Sequence, residues 1–177
     1  LIAFDLVTEK IEGDETAAWI TYPNLPRDLG DRKKILLDDG LIELEVQEVS
    51  DTRIRTRVVA GGEISDRKGV NIPDTRLSMP YLSEKDREDL LFGIRTGFDI
   101  VAASFVRMRE DVQQMGDFLD LNGGAHVRIM AKIENAEGVA NLEEIIQVCD
   151  SVMIARGDMG VEIPFERGLM GHSDADV

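Results

Sequence analysis

Three side chains in the second half of the chain have the types and spacing to act on an anion. Lys132 and Glu134 stand two residues apart at the end of an apolar run, so in a strand both project from one face. Asp158 follows the next apolar run, 151–155, after an intervening helical pattern. A lysine beside two hard carboxylates at neighbouring strand ends suits a divalent cation and an anionic, phosphorylated substrate. Each residue also has an ordinary reading. Lys132 and Glu134 would make a strand-end ion pair, and Asp158 a helix N-cap.

The elements that must position these residues are β-α units. An apolar run at 99–106 is followed by a helical pattern near 109–121, stopped by Asn122, Gly123 and Gly124. A second run, 127–134, precedes a helix over 138–148, and 151–155 is the third strand. Ahead of them Ser83 predicts an N-cap with Asp86 at the capping-box position. Leu90, Leu91, Ile94 and Phe98 would form that helix's buried stripe, and Gly97 its stop. Apolar strands alternating with helices predict a parallel α/β sheet covered by helices. The repeat of about 25 to 30 residues suits a (β/α)8 TIM barrel. Three β-α units cannot close one, so the expectation is a partial barrel or a smaller open sheet.

The first seventy residues read differently. Short strands at 2–7, 17–21, 34–37, 41–46 and 52–59 are separated by turns, with Asp38, Asp39 and Gly40 as a hairpin signal. They predict a small β-barrel or sandwich, with 22–30 as a loop. Prolines at 73 and 80 mark an irregular linker. The stretch 165–177 has no amphipathic pattern and reads as an atypical tail.

Composition narrows the partners. A net charge of −15 argues against nucleic acid and anionic membrane surfaces, both of which need basic residues. It leaves small anions open, because one lysine and a metal override the global field locally. No run reaches the roughly 18 apolar residues of a membrane span. The single cysteine, Cys149, excludes an internal disulfide and reads as a small buried thiol. A reducing, cytoplasmic setting is expected.

Several blocks, in order and spacing, resemble the pyruvate kinase family: Ile35-Leu-Leu-Asp-Asp-Gly-Leu41, Lys68-Gly-Val-Asn-Ile-Pro73, Ser83-Glu-Lys-Asp86, Ala103-Ser-Phe-Val-Arg107, Lys132-Ile-Glu-Asn135 and Ala155-Arg-Gly-Asp158. The resemblance implies a mobile β-barrel lid, the B domain, at 1–70. It implies part of the catalytic A domain, barrel strands four to six, at 71–164. It also implies phosphoryl transfer from phosphoenolpyruvate to ADP, giving pyruvate and ATP in glycolysis, with Mg²⁺ (or Mn²⁺) and, in the intact enzyme, K⁺. Glu134 and Asp158 would hold the metal, and Lys132 would be catalytic and touch the phosphoryl group. Gly157 and Ser104 would line the substrate pocket, and Lys68 and Asp39 would face the nucleotide. The family implies a homotetrameric parent. By itself the chain is expected to lack kinase activity, because the family's first barrel strands and its last two are not among its residues. Two other readings remain: a metal-dependent lyase of the phosphoenolpyruvate/pyruvate barrels, and a non-catalytic nucleotide-binding module.

Overall fold

The computed structural model describes residues 2–31, 33–73 and 75–163, so the expected tail at 165–177 lies outside the described residues. The chain forms two compact units, dividing after Met79.

Alternation of apolar and charged residues builds the first unit. Strands β1 (Ala3–Val7), β2 (Ala17–Trp19), β3 (Lys34–Leu37), β4 (Ile42–Val49), β5 (Arg53–Ala60) and β6 (Val70–Asn71) form one sheet in the order β2-β1-β5-β4-β3-β6. All pairs are antiparallel except β1 with β2. Phe4, Leu6, Ile35, Leu37, Ile42, Leu44 and Ile54, each at every second position of its strand, build the core. The intervening positions carry ion pairs, Arg57 with Glu45, Arg53 with Asp5 and Lys34 with Glu43. The hairpin expected between β3 and β4 is present. Asp38, Asp39 and Gly40 all take positive φ, the left-handed region that aspartate tolerates better than most residues.

One expectation fails here. The loop anticipated at 22–30 contains a short helix, α1 (Leu25–Leu29), with Pro26 in its first turn. Five residues cannot hold a helix by propensity. Leu25 and Leu29, one turn apart, are both buried in the sheet's core, and that burial holds it.

The second unit contains α2 (Glu84–Thr96), β7 (Ile100–Ala103), α3 (Arg109–Leu121), β8 (Arg128–Ile133), α4 (Ala136–Ala140), α5 (Leu142–Ile146), β9 (Ser151–Ile154) and α6 (Arg156–Glu162). The capping box of α2 forms as anticipated: Asp86 N–H donates to Ser83 Oγ at 3.1 Å, and Ser83 N–H to Asp86 Oδ2 at 2.9 Å. Gly97 ends the helix in the left-handed conformation. The strands make a parallel sheet in the order β7-β8-β9. Among the described residues no helix is long and apolar enough to cross a membrane.

Three corrections follow from packing. Among the described residues the sheet is covered on one face only. Ala103, Ile129, Ala131 and Ile133 pack with Val112, Met115 and Leu119 of α3 and Ile145 of α5. At the alternate positions Ile100 and Met153 are exposed, and Met130 and Lys132 are half-buried. Phe98, expected in the buried stripe of α2, is also exposed. The helix expected over 138–148 is broken at Asn141 into α4 and α5. Asn141 leaves helical geometry while its Nδ2 donates to the Arg107 carbonyl at 2.9 Å, a distant contact that sequence periodicity does not reveal.

Candidate functional site

Lys132 is the penultimate residue of β8, and Glu134 follows immediately after the strand. The two meet as expected, with Lys132 Nζ 2.6 Å from Glu134 Oε1. Their surroundings differ. Glu134 is fully buried, while the Lys132 side chain keeps 23% of its exposure. A buried carboxylate without hydrogen bonds would be strongly disfavoured. Glu134 Oε2 is satisfied by the Phe105 N–H at 2.6 Å. Oε1 has no hydrogen-bond partner, because Lys132 approaches it closely but outside hydrogen-bonding angles.

Ser104 joins the pair. It opens the turn after β7, the strand beside β8, and its Oγ accepts from Lys132 Nζ at 2.9 Å. That turn is tightly held. Phe105 takes φ of 54°, which costs a bulky residue about 1–3 kcal/mol unless its surroundings impose it. The Ser104 carbonyl accepts from Tyr81 Oη at 3.0 Å. Two residues on, the Arg107 N–H donates to Asp111 Oδ2 at 2.9 Å, and its guanidinium pairs with the same carboxylate. Gly138 closes the far side, where an added Cβ would meet the Val106 carbonyl oxygen at 2.5 Å. Sequence reasoning singled out Lys132, Glu134 and Ser104 but missed Phe105, Tyr81, Asp111, Gly138 and Asn141. The first acts through a backbone N–H, and the rest act on that turn's backbone, so residue type gave little signal.

Asp158 and Gly157 lie in the first turn of α6, directly after β9. The backbone brings them towards the pair, since the Ala155 N–H donates to the Ile133 carbonyl at 3.1 Å. Asp158 is exposed and makes no hydrogen bond or ion pair with Lys132 or Glu134. It is not the N-cap of α6, a position held by Ala155. Around Gly157 an added Cβ would meet nothing within 4 Å.

In the first unit, Lys68 Nζ pairs with Asp38 Oδ1 at 2.9 Å, and that hydrogen bond holds its ammonium above the usual lysine range. Asp39 is the next residue of the same hairpin turn, and its Oδ1 lies 3.9 Å from the position of a Cβ on Gly69. Lys68 and Asp39 therefore share one corner of the sheet.

A cavity of about 350 Å³ lies between α2 and β7, lined mainly by apolar side chains such as Leu90, Ile94, Val101 and Leu119. It touches Tyr81 and Ser104 but neither Lys132 nor Glu134, so the charged pair lies outside it.

The donor set fits a hard divalent cation. A buried carboxylate oxygen that has no hydrogen bond and is held only by its ion pair with Lys132 is the kind of ligand that Mg²⁺ takes, completing its octahedron from substrate and water. Among the described residues no three acidic, histidine or cysteine side chains cluster, so a site here would rest on few protein ligands.

Comparison with known proteins points to one family. The family described as pyruvate kinase, barrel domain, matches residues 2–171. A pyruvate kinase of Clostridium perfringens is 50% identical over 158 residues, which is 89% of this chain and 33% of that protein. One of Geobacillus stearothermophilus is 51% identical over 149 residues, 83% of this chain and 25% of that protein. One of Sporosarcina psychrophila is 46% identical over 164 residues, 92% of this chain and 28% of its own. The chain thus spans a quarter to a third of the length of these relatives.

Proposed function

Because the chain belongs to the pyruvate kinase family, we propose that it supplies the metal- and phosphoenolpyruvate-binding part of an enzyme that transfers phosphoryl from phosphoenolpyruvate to ADP. The products are pyruvate and ATP. The observation that carries this reading is the buried Glu134 carboxylate, with one oxygen bound to backbone and the other paired with Lys132 but free of hydrogen bonds.

In this reading the three parallel strands of the second unit are strands four to six of a (β/α)8 barrel. The uncovered face bearing Lys132 is the barrel's interior. The domain boundaries are 1–70 for the lid and 71–164 for the barrel part. Glu134 and Asp158 would hold Mg²⁺ (or Mn²⁺), which would supply charge neutralisation for the anionic substrate. Lys132 directs its ammonium at the transferring phosphoryl group, where negative charge redistributes in the transition state. Its bond to Ser104 Oγ and its pairing with Glu134 hold the side chain in place beforehand. Gly157 leaves room for the substrate carboxylate to approach backbone. Lys68 and Asp39 belong to the nucleotide side. K⁺ and a homotetrameric assembly belong to the intact enzyme. The lyase reading has no observation in its favour.

Mn²⁺ titration of the 177-residue chain, followed by electron paramagnetic resonance, tests the assignment. Glu134→Gln and Asp158→Asn are each expected to weaken binding by about tenfold or more, the loss of at least ~1.4 kcal/mol. Unchanged affinity in both variants would overturn it.

A further inference from the structure

The Ser104–Phe105 peptide is gripped at both ends. A trans peptide points its carbonyl and its N–H in opposite directions from one rigid plane. Here the carbonyl accepts from Tyr81 Oη at 3.0 Å, and the N–H donates to Glu134 Oε2 at 2.6 Å. Turning the plane over would aim a carbonyl oxygen at a buried carboxylate and leave both the phenol and Oε2 without these partners. The plane needs holding, because Phe105 sits at φ 54°, a region disfavoured for a bulky side chain.

Tyr81 is built for that task. Burial pushes its phenol well above the usual range, so the hydroxyl remains a proton donor. The Arg107 guanidinium lies 6.0 Å from the ring centroid. The ring thus stands beside the guanidinium that Asp111 holds, on the same turn as the carbonyl it binds.

We propose that Tyr81 is a positioning residue: through the Ser104–Phe105 peptide it commits Glu134 Oε2 to backbone, so that Glu134 offers a divalent cation Oε1 alone. This rests on the reading of Glu134 as a metal ligand. One-oxygen coordination suits Mg²⁺ and Mn²⁺ in a small octahedral site. Ca²⁺, which is larger and often takes both oxygens of a carboxylate, loses by it. Tyr81 thus contributes to cation selectivity without touching the cation.

The test uses the ¹⁵N-labelled 177-residue chain and its Tyr81→Phe variant, which keeps the ring and removes only the hydroxyl. In the wild type the Phe105 amide proton should resonate far downfield and exchange slowly with solvent. In Tyr81→Phe it should exchange up to about tenfold faster, as expected for one lost hydrogen bond. Mn²⁺ should bind about tenfold more weakly, the usual cost of removing an outer-shell partner. Ca²⁺ affinity should not fall with it, and the amide of Ala131 in β8 should keep its wild-type exchange rate. Fast exchange of the wild-type Phe105 amide would overturn the proposal without any variant. So would an unmoved Phe105 amide, or an unmoved Mn²⁺/Ca²⁺ ratio, in Tyr81→Phe. Glu134→Gln separates the two layers. Unchanged Mn²⁺ affinity there removes the ligand reading and this proposal with it, whereas weakened binding there with an unmoved Phe105 amide in Tyr81→Phe removes the proposal alone.

Discussion

Glu134 places its two oxygens in different company, and the proposed metal site depends on that asymmetry. Oε2 faces a backbone donor, while Oε1 faces an ammonium that is close but not hydrogen-bonded to it. In an enzyme containing this segment, Lys132→Met is expected to lower kcat by about a hundredfold or more, with a much smaller change in KM for phosphoenolpyruvate. Steady-state kinetics at saturating Mg²⁺ checks this, and a defect confined to KM would count against the role. A second residue-scale prediction concerns Asp28, which accepts from Tyr22 Oη, from Ser78 N–H at 2.6 Å and from Ser78 Oγ at 3.0 Å. Burial pulls its carboxyl upward, but the hydrogen bonds from Ser78 and Tyr22 outweigh burial and hold it below the ordinary 3.8. A depressed folded value means the stabilisation is complete above that ordinary value and is lost as pH falls through the lower one. Thermal melting should therefore show a loss below about pH 4 that Asp28→Asn flattens, with the variant already less stable at neutral pH. The meeting of Lys132 with Glu134 was legible from residue type and spacing, because two residues apart on one strand face must be neighbours. The Phe105 N–H was not, since every residue but proline has one and only the fold aims it.

Among the elements, those defined by local chemistry were legible and those defined by distant contacts were not. Ser83, Asp86 and Gly97 bound α2 through bonds made within a few residues of one another. The break between α4 and α5 depends on Asn141 reaching Arg107, 34 positions away, and α1 depends on a core assembled by other strands. The same distinction separates two glycines. Gly138→Ala drives a Cβ into the Val106 carbonyl oxygen, a backbone atom that cannot rotate away. It should cost about 1–3 kcal/mol in denaturant unfolding, typical of overpacking. Gly157→Ala meets open space and should leave stability within about 0.5 kcal/mol while weakening phosphoenolpyruvate binding in an enzyme containing this segment. A Gly157→Ala variant that lost stability but bound substrate normally would reverse the assignment.

Over the whole molecule, two units carry two separate cores, one for the mixed sheet and one for the parallel sheet. Since the chain spans only a quarter to a third of its relatives' length, the purified 177-residue polypeptide is expected to form no ATP from phosphoenolpyruvate, ADP and Mg²⁺. A coupled luciferase assay checks this, and turnover above background would show that the segment positions both substrates unaided. The partial, parallel character of the second sheet was legible from alternating strands and helices. Its bare face was not, because the apolar runs look the same whether one side or both are covered. That sheet also has a physical consequence for the chain in solution. Among the described residues β7 and β9 each pair on one side only, and Ile100, Met153 and Ile154 are half exposed there. Unpaired strand edges recruit further strands. Copies carrying a net charge of −15 repel one another before the edges can meet, but only across a Debye length that shrinks from about 8 Å at physiological ionic strength to about 3 Å at 1 M salt. For the 177-residue polypeptide, concentrated salt is therefore expected to lower the barrier to edge-to-edge stacking, which light scattering against ionic strength checks.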